Sequence, residues 1–324
     1  MQKMKILVSF DLPNDCLEKI RKCSPSVDIV QSESRDEALR LVEDADVLFA
    51  GFFSKELFLA AKRLKWIQAW GAGVDRLLIP EVIESQVIVT NAGGVHPTPI
   101  SEHVVGLMLC LCRKLHLFIR NQMQRKWERF ESGALAERVE ELSGKTVGIV
   151  GLGRIGREIA KKARCLGMRV VATKRNTARS ASPNVDQLFG ISDLNSLLAE
   201  SDFAVLSLPL TKETQGMIGE AQLKNMKRTA YLINVSRGSI VQENMLIKAL
   251  KRGWIAGAGL DTFEDEPLPE ASELWALKNV IITPHVAGQT PYYMERLTGI
   301  FCENLNRLIH KRPLINVVDK TLGY

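Results

Sequence analysis

One short stretch of the chain limits its possible folds more than any other. Residues 147–150 suit a buried strand and run directly into Gly151, Gly153 and Gly156, after which apolar residues recur with helical spacing. In such a strand–turn–helix unit the first glycine permits the tight turn, the second lets a pyrophosphate approach the backbone, and the third lets helix and strand pack closely. The helix N-terminus adds unpaired N–H groups and a positive dipole end. The stretch therefore predicts a dinucleotide-binding Rossmann unit, whose expected contacts are Gly151, Gly153, Arg154, Ile155 and Gly156.

The residues after the next predicted strand bear on which dinucleotide is bound. An NAD site usually places Asp or Glu about 20 residues after the glycine motif, where the carboxylate binds the ribose 2′-hydroxyl. No acidic residue occurs at positions 159–185. Lys174 and Arg175 follow the strand instead, with Thr177 and Arg179 nearby. Because two cations can neutralise a 2′-phosphate, the sequence favours NADP(H). NAD(H) is the alternative if these cations belong only to a solvated basic loop.

Short apolar segments alternate with helical patterns along almost the whole chain, which is typical of parallel α/β folds. Strands are predicted at 5–9, 27–30, 47–49, 66–69 and 87–90, and again at 146–150, 169–173, 203–207, 230–235, 256–260 and 280–283. Helices are predicted at 16–23, 34–42, 55–61, 100–130 and near 291–310. We expect two doubly wound parallel-sheet domains with a cleft between them. They are a flavodoxin-like substrate-binding or lid domain, residues 1–98 and 291–324, and a Rossmann nucleotide domain, residues 99–290.

The predicted helix at 100–130 is unusually apolar. Residues 104–111 are apolar on nearly every face, and Leu115, Phe118 and Ile119 continue the pattern. A helix of this kind must be buried all round, either between domains or against a second subunit. Because a symmetric partner is the commonest solution in soluble oligomers, we expect a homodimer.

Composition excludes several classes of protein. The chain has 324 residues, a net charge of +6 and a pI near 9.0, but no Lys/Arg run exceeds two residues, so nucleic acid is not an expected partner. The six cysteines lack paired C-x-x-C spacing and indicate thiols in a reducing compartment. The longest apolar run, 104–112, is far shorter than a membrane span. We expect a cytoplasmic protein that binds no membrane and, lacking a His/Cys/Asp cluster, no metal.

Three polar residues follow late strands of the nucleotide domain, where the carboxyl ends of parallel strands form the ligand crevice. They are Arg237, Glu266 and His285. Imidazolium is a suitable proton donor near neutral pH, and a carboxylate beside its other nitrogen stabilises and orients it. Arginine can bind a substrate carboxylate and polarise a carbonyl. Together these residues favour hydride transfer to a 2-keto acid, with His285 as the acid/base.

Four sequence motifs make the chain resemble the D-isomer-specific 2-hydroxyacid dehydrogenases over nearly its whole length. The motifs span residues 151–156, 234–238, 261–268 and 283–288. The resemblance places Arg237, Glu266 and His285 at the family's catalytic positions, with Arg237 and His285 also contacting substrate. It implies that Asp261 contacts the nicotinamide carboxamide and that the segment Leu208-Pro209 packs on the cofactor. It further implies that backbone N–H groups of residues 70–75 hold the substrate carboxylate. The additional residues expected to bind cofactor are Lys174, Arg175, Val235, His285 and Gly288, and those expected to bind substrate include Ala72 and Gly73.

The resemblance favours an NADP(H)-dependent reductase of small 2-keto acids, similar to the glyoxylate/hydroxypyruvate reductases. D-3-phosphoglycerate dehydrogenase is an alternative, although the chain ends at Tyr324 without room for an appended regulatory domain. A non-catalytic dinucleotide-sensing corepressor is another, since such proteins can retain the three residues. Formate dehydrogenases resemble this fold but usually lack the Glu partner of the histidine, so Glu266 argues against that activity. Substrate selectivity is expected from Trp70, Leu77, Tyr292 and Tyr293, and the remaining histidines, His96, His103, His116 and His310, are interpreted as structural.

Overall fold

A computed structural model describes residues 3–127, 139–175 and 183–324 of the chain. It divides into two compact units. Unit 1 comprises Met1–Val95 with Thr290–Tyr324, and unit 2 comprises His96–Gln289.

Unit 1 is a five-stranded sheet covered by helices. Its strands are Met4–Val8 (β1), Val27–Gln31 (β2), Val47–Ala50 (β3), Trp66–Ala69 (β4) and Ile88–Thr90 (β5). Its helices are Asn14–Arg21 (α1), Arg35–Leu41 (α2), Lys55–Ala60 (α3), Pro80–Glu84 (α4) and Tyr293–Ile309 (α11). The order β2-β1-β3-β4-β5, with every pair parallel, is the flavodoxin-like order. β3 and β4 are buried at every residue because helices cover both faces of the sheet.

The last helix of unit 1 is fixed by aromatic packing. Phe301 of α11 stacks on Phe49 of β3 at 4.3 Å between ring centroids and on Trp66 of β4 at 4.9 Å. All three side chains are fully buried. The chain's C-terminal segment thus completes the core of its N-terminal sheet.

Unit 2 is a seven-stranded parallel sheet. Its strands are Thr146–Val150 (β6), Arg169–Thr173 (β7), Gln187–Phe189 (β8), Phe203–Leu206 (β9), Tyr231–Asn234 (β10), Gly257–Leu260 (β11) and Val280–Ile282 (β12). Its helices are Pro97–Cys112 (α5), Leu115–Met123 (α6), Arg154–Cys165 (α7), Leu194–Glu200 (α8), Glu220–Asn225 (α9) and Glu243–Arg252 (α10). The order β12-β11-β10-β9-β6-β7-β8 is that of a Rossmann fold with one strand added at the edge. The predicted fold class, two parallel-sheet α/β domains, is confirmed.

One predicted element is wrong, and one strand was missed. The single helix at 100–130 is two helices, because Lys114 adopts a left-handed conformation (φ 58°) that ends α5 and reorients the chain before α6. Residues 128–130 lie outside the described part of the chain. The apolar residues 104–111 need no second subunit to explain them, since α5 packs within unit 2 on α7, β10 and β11. Strand β8 was not predicted.

Among the described residues, no helix is both long and apolar enough to cross a membrane. Nor, in those same ranges, do three His, Cys, Asp or Glu side chains converge in a way that could hold a metal ion.

Candidate active site

The glycine motif forms the turn between β6 and α7. Gly151 has a φ of 103°, and a Cβ there would lie 2.7 Å from the carbonyl oxygen of Ser207. A Cβ on Gly156 would lie 2.3 Å from the carbonyl oxygen of Gly151. Gly153, the N-cap of α7, is different, because a Cβ there would meet no atom within 4 Å. The motif therefore excludes side chains where backbone segments touch and leaves space at the helix N-terminus, which fits a bound pyrophosphate.

Loops from neighbouring strands meet at this turn, at the point where the strand order of unit 2 reverses. The Ser207 hydroxyl donates to the Gly151 carbonyl at 2.8 Å, and the Gly151 N–H donates to Thr173 Oγ1 at 3.2 Å. The Leu208 N–H donates to Ser236 Oγ at 3.0 Å. Reversal points of this kind are the usual ligand sites of open α/β sheets.

The remaining residues predicted to bind cofactor in this region surround the same turn. Arg154 and Pro209 are exposed, whereas Ile155 and Leu208 are half-buried against the core. Val235 is buried after β10.

The basic residues after β7 lie beside an acidic residue that sequence reasoning missed. Arg175 Nη2 lies 2.7 Å from Glu213 Oε2, and both side chains are substantially exposed. The Lys174 N–H donates to the Phe189 carbonyl oxygen at 3.0 Å, which fixes the backbone at the end of β7. Thr177 and Arg179 lie outside the described residues. Glu213 follows β9, 38 positions after Arg175, so no local pattern could have linked the two.

His285 and Glu266 are brought together by the loops that follow β12 and β11. His285 Nδ1 lies 2.8 Å from Glu266 Oε2. The other carboxylate oxygen, Oε1, accepts the Phe263 N–H at 3.1 Å, so both oxygens are engaged. The histidine side chain is 46% exposed, and with Nδ1 bound to the carboxylate its Nε2 is the nitrogen left to exchange a proton.

Arg237 lies in the loop after β10 and is half-buried. Its Nη1 donates to the Ser236 carbonyl oxygen at 2.9 Å. A Cβ on the next residue, Gly238, would lie only 1.8 Å from the carbonyl carbon of Phe263. The absence of a side chain at Gly238 thus lets the loop of Arg237 lie directly on the loop that carries Glu266.

His96 lies close to this part of the site. Burial, together with the nearby charge of Arg237, lowers the pKa of His96. Its ring also packs on Gly288, where a Cβ would lie 2.8 Å from the imidazole Cδ2. The absence of a side chain at Gly288 therefore lets the His96 ring lie against the loop that carries His285.

Asp261, which the resemblance places at the nicotinamide, makes its observed contacts with the loop of His285. Its buried carboxylate accepts the Thr283 hydroxyl at 2.6 Å and the N–H groups of Val286 and Ala287 at 3.0 and 2.9 Å. Its backbone carbonyl accepts the His285 N–H at 2.9 Å. His285 has a φ of 53°, a left-handed conformation that a non-glycine residue keeps only when its surroundings enforce it. The sequence pattern carried no signal for this role of Asp261.

The loop after β4 in unit 1 is held through its carbonyl groups. The Trp70 carbonyl accepts the Tyr293 hydroxyl at 2.7 Å, the Gly71 carbonyl accepts the Ala92 N–H at 2.9 Å, and the Ala72 carbonyl accepts Asn91 Nδ2 at 3.0 Å. In contrast, the N–H groups of Ala72 and Gly73 donate to no acceptor within the described part of the chain. The loop therefore presents N–H groups, which suits an anion.

The four side chains expected to set selectivity differ in their surroundings. Trp70 and Tyr293 stack at 5.1 Å, and burial raises the pKa of the Tyr293 hydroxyl. Tyr292 is exposed, with the guanidinium of Arg296 over its ring at 5.3 Å. Leu77 is buried in the core of unit 1, so its predicted role in a substrate pocket is not supported.

Comparison with known proteins gives one family. Residues 105–287 match the model described as "D-isomer specific 2-hydroxyacid dehydrogenase, NAD binding domain". A glyoxylate reductase of Thermofilum pendens is 36% identical over 322 residues, which cover 94% of this chain and 91% of the relative. A D-3-phosphoglycerate dehydrogenase of Archaeoglobus fulgidus is 34% identical, and the match covers 98% of this chain but 59% of that enzyme.

A solved structure gives the same result. The NADPH-dependent glyoxylate/hydroxypyruvate reductase of Sinorhizobium meliloti, in complex with NADP and sulfate, superposes with a TM-score of 0.85 at 27% identity. The superposition covers 99% of this chain and 100% of that chain.

Proposed function

Because the chain belongs to the D-isomer specific 2-hydroxyacid dehydrogenase family, we propose that it is an NADP(H)-dependent reductase of small 2-keto acids of the glyoxylate and hydroxypyruvate type. The product would be the D-2-hydroxy acid. The observation that carries the proposal is the 2.8 Å contact between His285 Nδ1 and Glu266 Oε2 after the last two strands of a dinucleotide-binding sheet. Such a pair is suited to deliver a proton as a carbonyl is reduced.

Three side chains of unit 2 contribute to the proposed reaction. When bound, the reduced nicotinamide supplies a hydride to the carbonyl carbon of the substrate. His285 gives a proton from Nε2 to the carbonyl oxygen, since Nδ1 is held by Glu266. The Glu266 carboxylate stabilises the imidazolium and fixes the ring plane. Arg237 polarises the carbonyl group and binds the substrate carboxylate through its forked donors.

We propose that unit 1 is the substrate-binding domain and that its loop after β4 is suited to a carboxylate. The N–H groups of Ala72 and Gly73 are the donors, and the hydrogen bonds to the carbonyls of the loop hold them in place. The Trp70–Tyr293 stack lies at the start of this loop, so these two side chains are the expected determinants of substrate size.

Preference for NADP(H) rests on Lys174 and Arg175, together with the lack of an acidic residue at positions 159–185. A 2′-phosphate would replace Glu213 as the partner of Arg175, at little cost because an exposed ion pair contributes only about 0–1 kcal/mol.

Homodimer formation is supported by α6 rather than by residues 104–111. Leu115, Ile119 and Met123 recur every fourth residue on α6 and are 43%, 55% and 82% exposed. We propose that this stripe packs against a second copy of the chain, because an exposed apolar stripe is characteristic of an interface. Sedimentation velocity at micromolar concentration should give a dimer, and Ile119→Lys should convert it to a monomer. A wild-type monomer would refute the proposal.

One assay tests the proposed reaction. NADPH oxidation is followed with glyoxylate, hydroxypyruvate and a panel of other small 2-keto acids, and D-3-phosphoglycerate oxidation is followed with NADP⁺ and NAD⁺. We expect turnover of glyoxylate or hydroxypyruvate with a higher kcat/KM for NADPH than for NADH. Faster oxidation of D-3-phosphoglycerate would favour that dehydrogenase activity instead. Cofactor binding without turnover of any substrate would favour a dinucleotide sensor.

A further inference from the structure

A histidine outside the three proposed catalytic residues is connected to the loop of His285. His103 lies on α5, one turn before Leu107, and its side chain is 21% exposed. Leu107 packs on Gly259 of β11, where a Cβ would lie 3.2 Å from the leucine Cδ1. This contact docks α5 on β11. One turn away, His103 Nε2 lies 3.0 Å from Thr283 Oγ1, at the end of β12.

The hydrogen-bond directions in this cluster can be assigned from chemistry. The Thr283 hydroxyl has one proton, and an ionised Asp261 carboxylate can only accept. The 2.6 Å contact between Thr283 Oγ1 and Asp261 Oδ1 therefore uses that proton. It follows that Thr283 accepts from His103, so the proton of the neutral His103 ring lies on Nε2. A chain of hydrogen bonds therefore runs from the His103 donor through the Thr283 hydroxyl to Asp261, which is the final acceptor.

We propose that His103 is a positioning residue for His285, acting through Thr283 and Asp261. The inference rests on the proposed function, in which His285 is the proton donor. Asp261 Oδ1, which accepts the Thr283 hydroxyl, also accepts the Val286 N–H, and Oδ2 of the same carboxylate accepts the Ala287 N–H. By fixing the Thr283 hydroxyl, His103 keeps the Asp261 carboxylate oriented toward the loop. The loop in turn holds His285 in its left-handed conformation.

The test compares three single variants and one double variant with one control. His103→Leu removes the donor and His103→Gln retains an N–H near the same place, while Thr283→Val removes the hydroxyl. His116→Leu is the control, because His116 is another partly buried histidine, on α6, that contacts a backbone carbonyl, that of Cys110. Each protein is assayed for kcat, for the Kd of NADPH, and for hydrogen exchange of the backbone amides at positions 285–287.

We expect His103→Leu and Thr283→Val each to lower kcat roughly tenfold, since small displacements of a reacting group are costly, while the Kd of NADPH changes little. Amide exchange at 285–287 should accelerate roughly three- to tenfold, as for the loss of one hydrogen bond. His103→Gln should restore most of both losses, and His116→Leu should change neither. The His103→Leu/Thr283→Val double variant should be no worse than either single variant, because both interrupt one chain.

Two results would overturn the proposal. One is unchanged exchange at 285–287 in both His103→Leu and Thr283→Val. The other is a wild-type His103 ring that is neutral and protonated on Nδ1 by ¹⁵N NMR, a measurement that needs no variant to fold. The exchange and NMR readouts do not depend on turnover. If the wild-type protein reduces no 2-keto acid, yet the variants show the faster exchange at 285–287, the proposed reaction is refuted and the positioning role is supported.

Discussion

In unit 2 the strand order reverses between β6 and β9, and in unit 1 it reverses between β1 and β3. Each unit thus has the crevice in which open α/β sheets usually bind ligands. In unit 2 the crevice is lined by glycines, and the space beside Gly153 is open. In unit 1 it is filled by Phe10, whose Cβ lies 2.6 Å from the position a Cβ on Gly51 would take. Phe10 also packs edge-on against Trp70 at 4.5 Å between centroids.

The residues after the first strand of each unit explain the difference. In unit 1, Ser9 ties β1 to β3 by donating its hydroxyl to the Phe52 carbonyl at 2.9 Å, and buried Leu12 follows Phe10. No glycine separates that strand from its helix. The same topology therefore carries a glycine turn before the helix in one unit and an aromatic plug in the other. Topology provides the position of a site, and the side chains at that position decide whether it is used.

The largest expected effect concerns the proton donor of unit 2. His285→Ala should lower kcat by about 10²–10⁴, the usual contribution of a general acid, while the Kd of NADPH is retained. Steady-state kinetics and fluorescence titration measure the two quantities. His310→Ala, in unit 1 at the end of α11, is the control and should behave as wild type. A His285→Ala enzyme with near-native kcat would end the proposed mechanism.

The next effect concerns the open crevice itself. Gly153→Asp places a negative side chain at the N-terminus of α7, where the pyrophosphate is expected, and should weaken NADPH binding by about 100-fold through repulsion and lost space. Because a Cβ at this position meets no atom within 4 Å, the variant should keep its wild-type thermal stability. Calorimetric titration gives the affinity. Unaltered NADPH binding would show that the glycine loop is not the cofactor site.

Phe10→Ala is the matching change in unit 1. Removing a half-buried aromatic ring should lower the free energy of unfolding by about 2 kcal/mol, below the 3–5 kcal/mol of a fully buried one. The Kd of NADPH should not change, because the plugged crevice is not proposed to bind it. Urea denaturation measures the stability, with exposed Leu59→Ala as the control. An affinity loss comparable to that of Gly153→Asp would contradict the distinction between the two crevices.

A smaller effect is expected for the basic residues after β7. The double change Lys174→Asp with Arg175→Ser should weaken NADPH binding at least tenfold, since each charge-assisted bond to phosphate contributes about 1.5–3 kcal/mol. NADH should lose nothing, so the preference should invert. Glu213→Gln is the matched control, because it removes the competing ion pair with Arg175 and should strengthen NADPH binding slightly. If the wild-type kcat/KM for NADH is equal to or above that for NADPH, Lys174 and Arg175 do not select the 2′-phosphate and belong only to a solvated loop.

The smallest effect is expected for the partner of His285. Glu266→Gln keeps the hydrogen bond but removes the charge that stabilises the imidazolium, so it should cost less than His285→Ala. Steady-state kinetics should show a smaller loss of kcat than in His285→Ala, with the Kd of NADPH unchanged. A kcat equal to that of the wild type would exclude the electrostatic role of Glu266.

The parallel sheets and the His285–Glu266 pair could be predicted from the sequence because their signals are local. Apolar runs bounded by polar residues mark the strands, and the carboxyl end of each strand is fixed by the direction of the chain. The break at Lys114 could not be predicted, since apolar residues continue on both sides of it. Strand β8 has three residues and lies at the sheet edge, too short for a periodic pattern.

Contacts between residues far apart in the chain could not be predicted from the sequence for a different reason. Glu213 lies 38 positions from Arg175, and Thr283 lies 180 positions from His103. Taken alone, Glu213 and Arg175 have an ordinary interpretation as exposed charges, and His103 has one as a helix histidine. Only the packing of strands and helices brings them together. The anchoring role of Asp261 likewise depends on a loop whose backbone conformation no residue pattern indicated.

Hydrogen–deuterium exchange of the whole chain, with and without saturating NADPH, tests the central comparison most directly. We predict slower exchange at residues 151–157 and 207–210, where the open crevice of unit 2 lies, and unchanged exchange at residues 8–12 and 49–53 around the Phe10 plug. Protection confined to the unit 1 segments, or equal in the two units, would contradict the account.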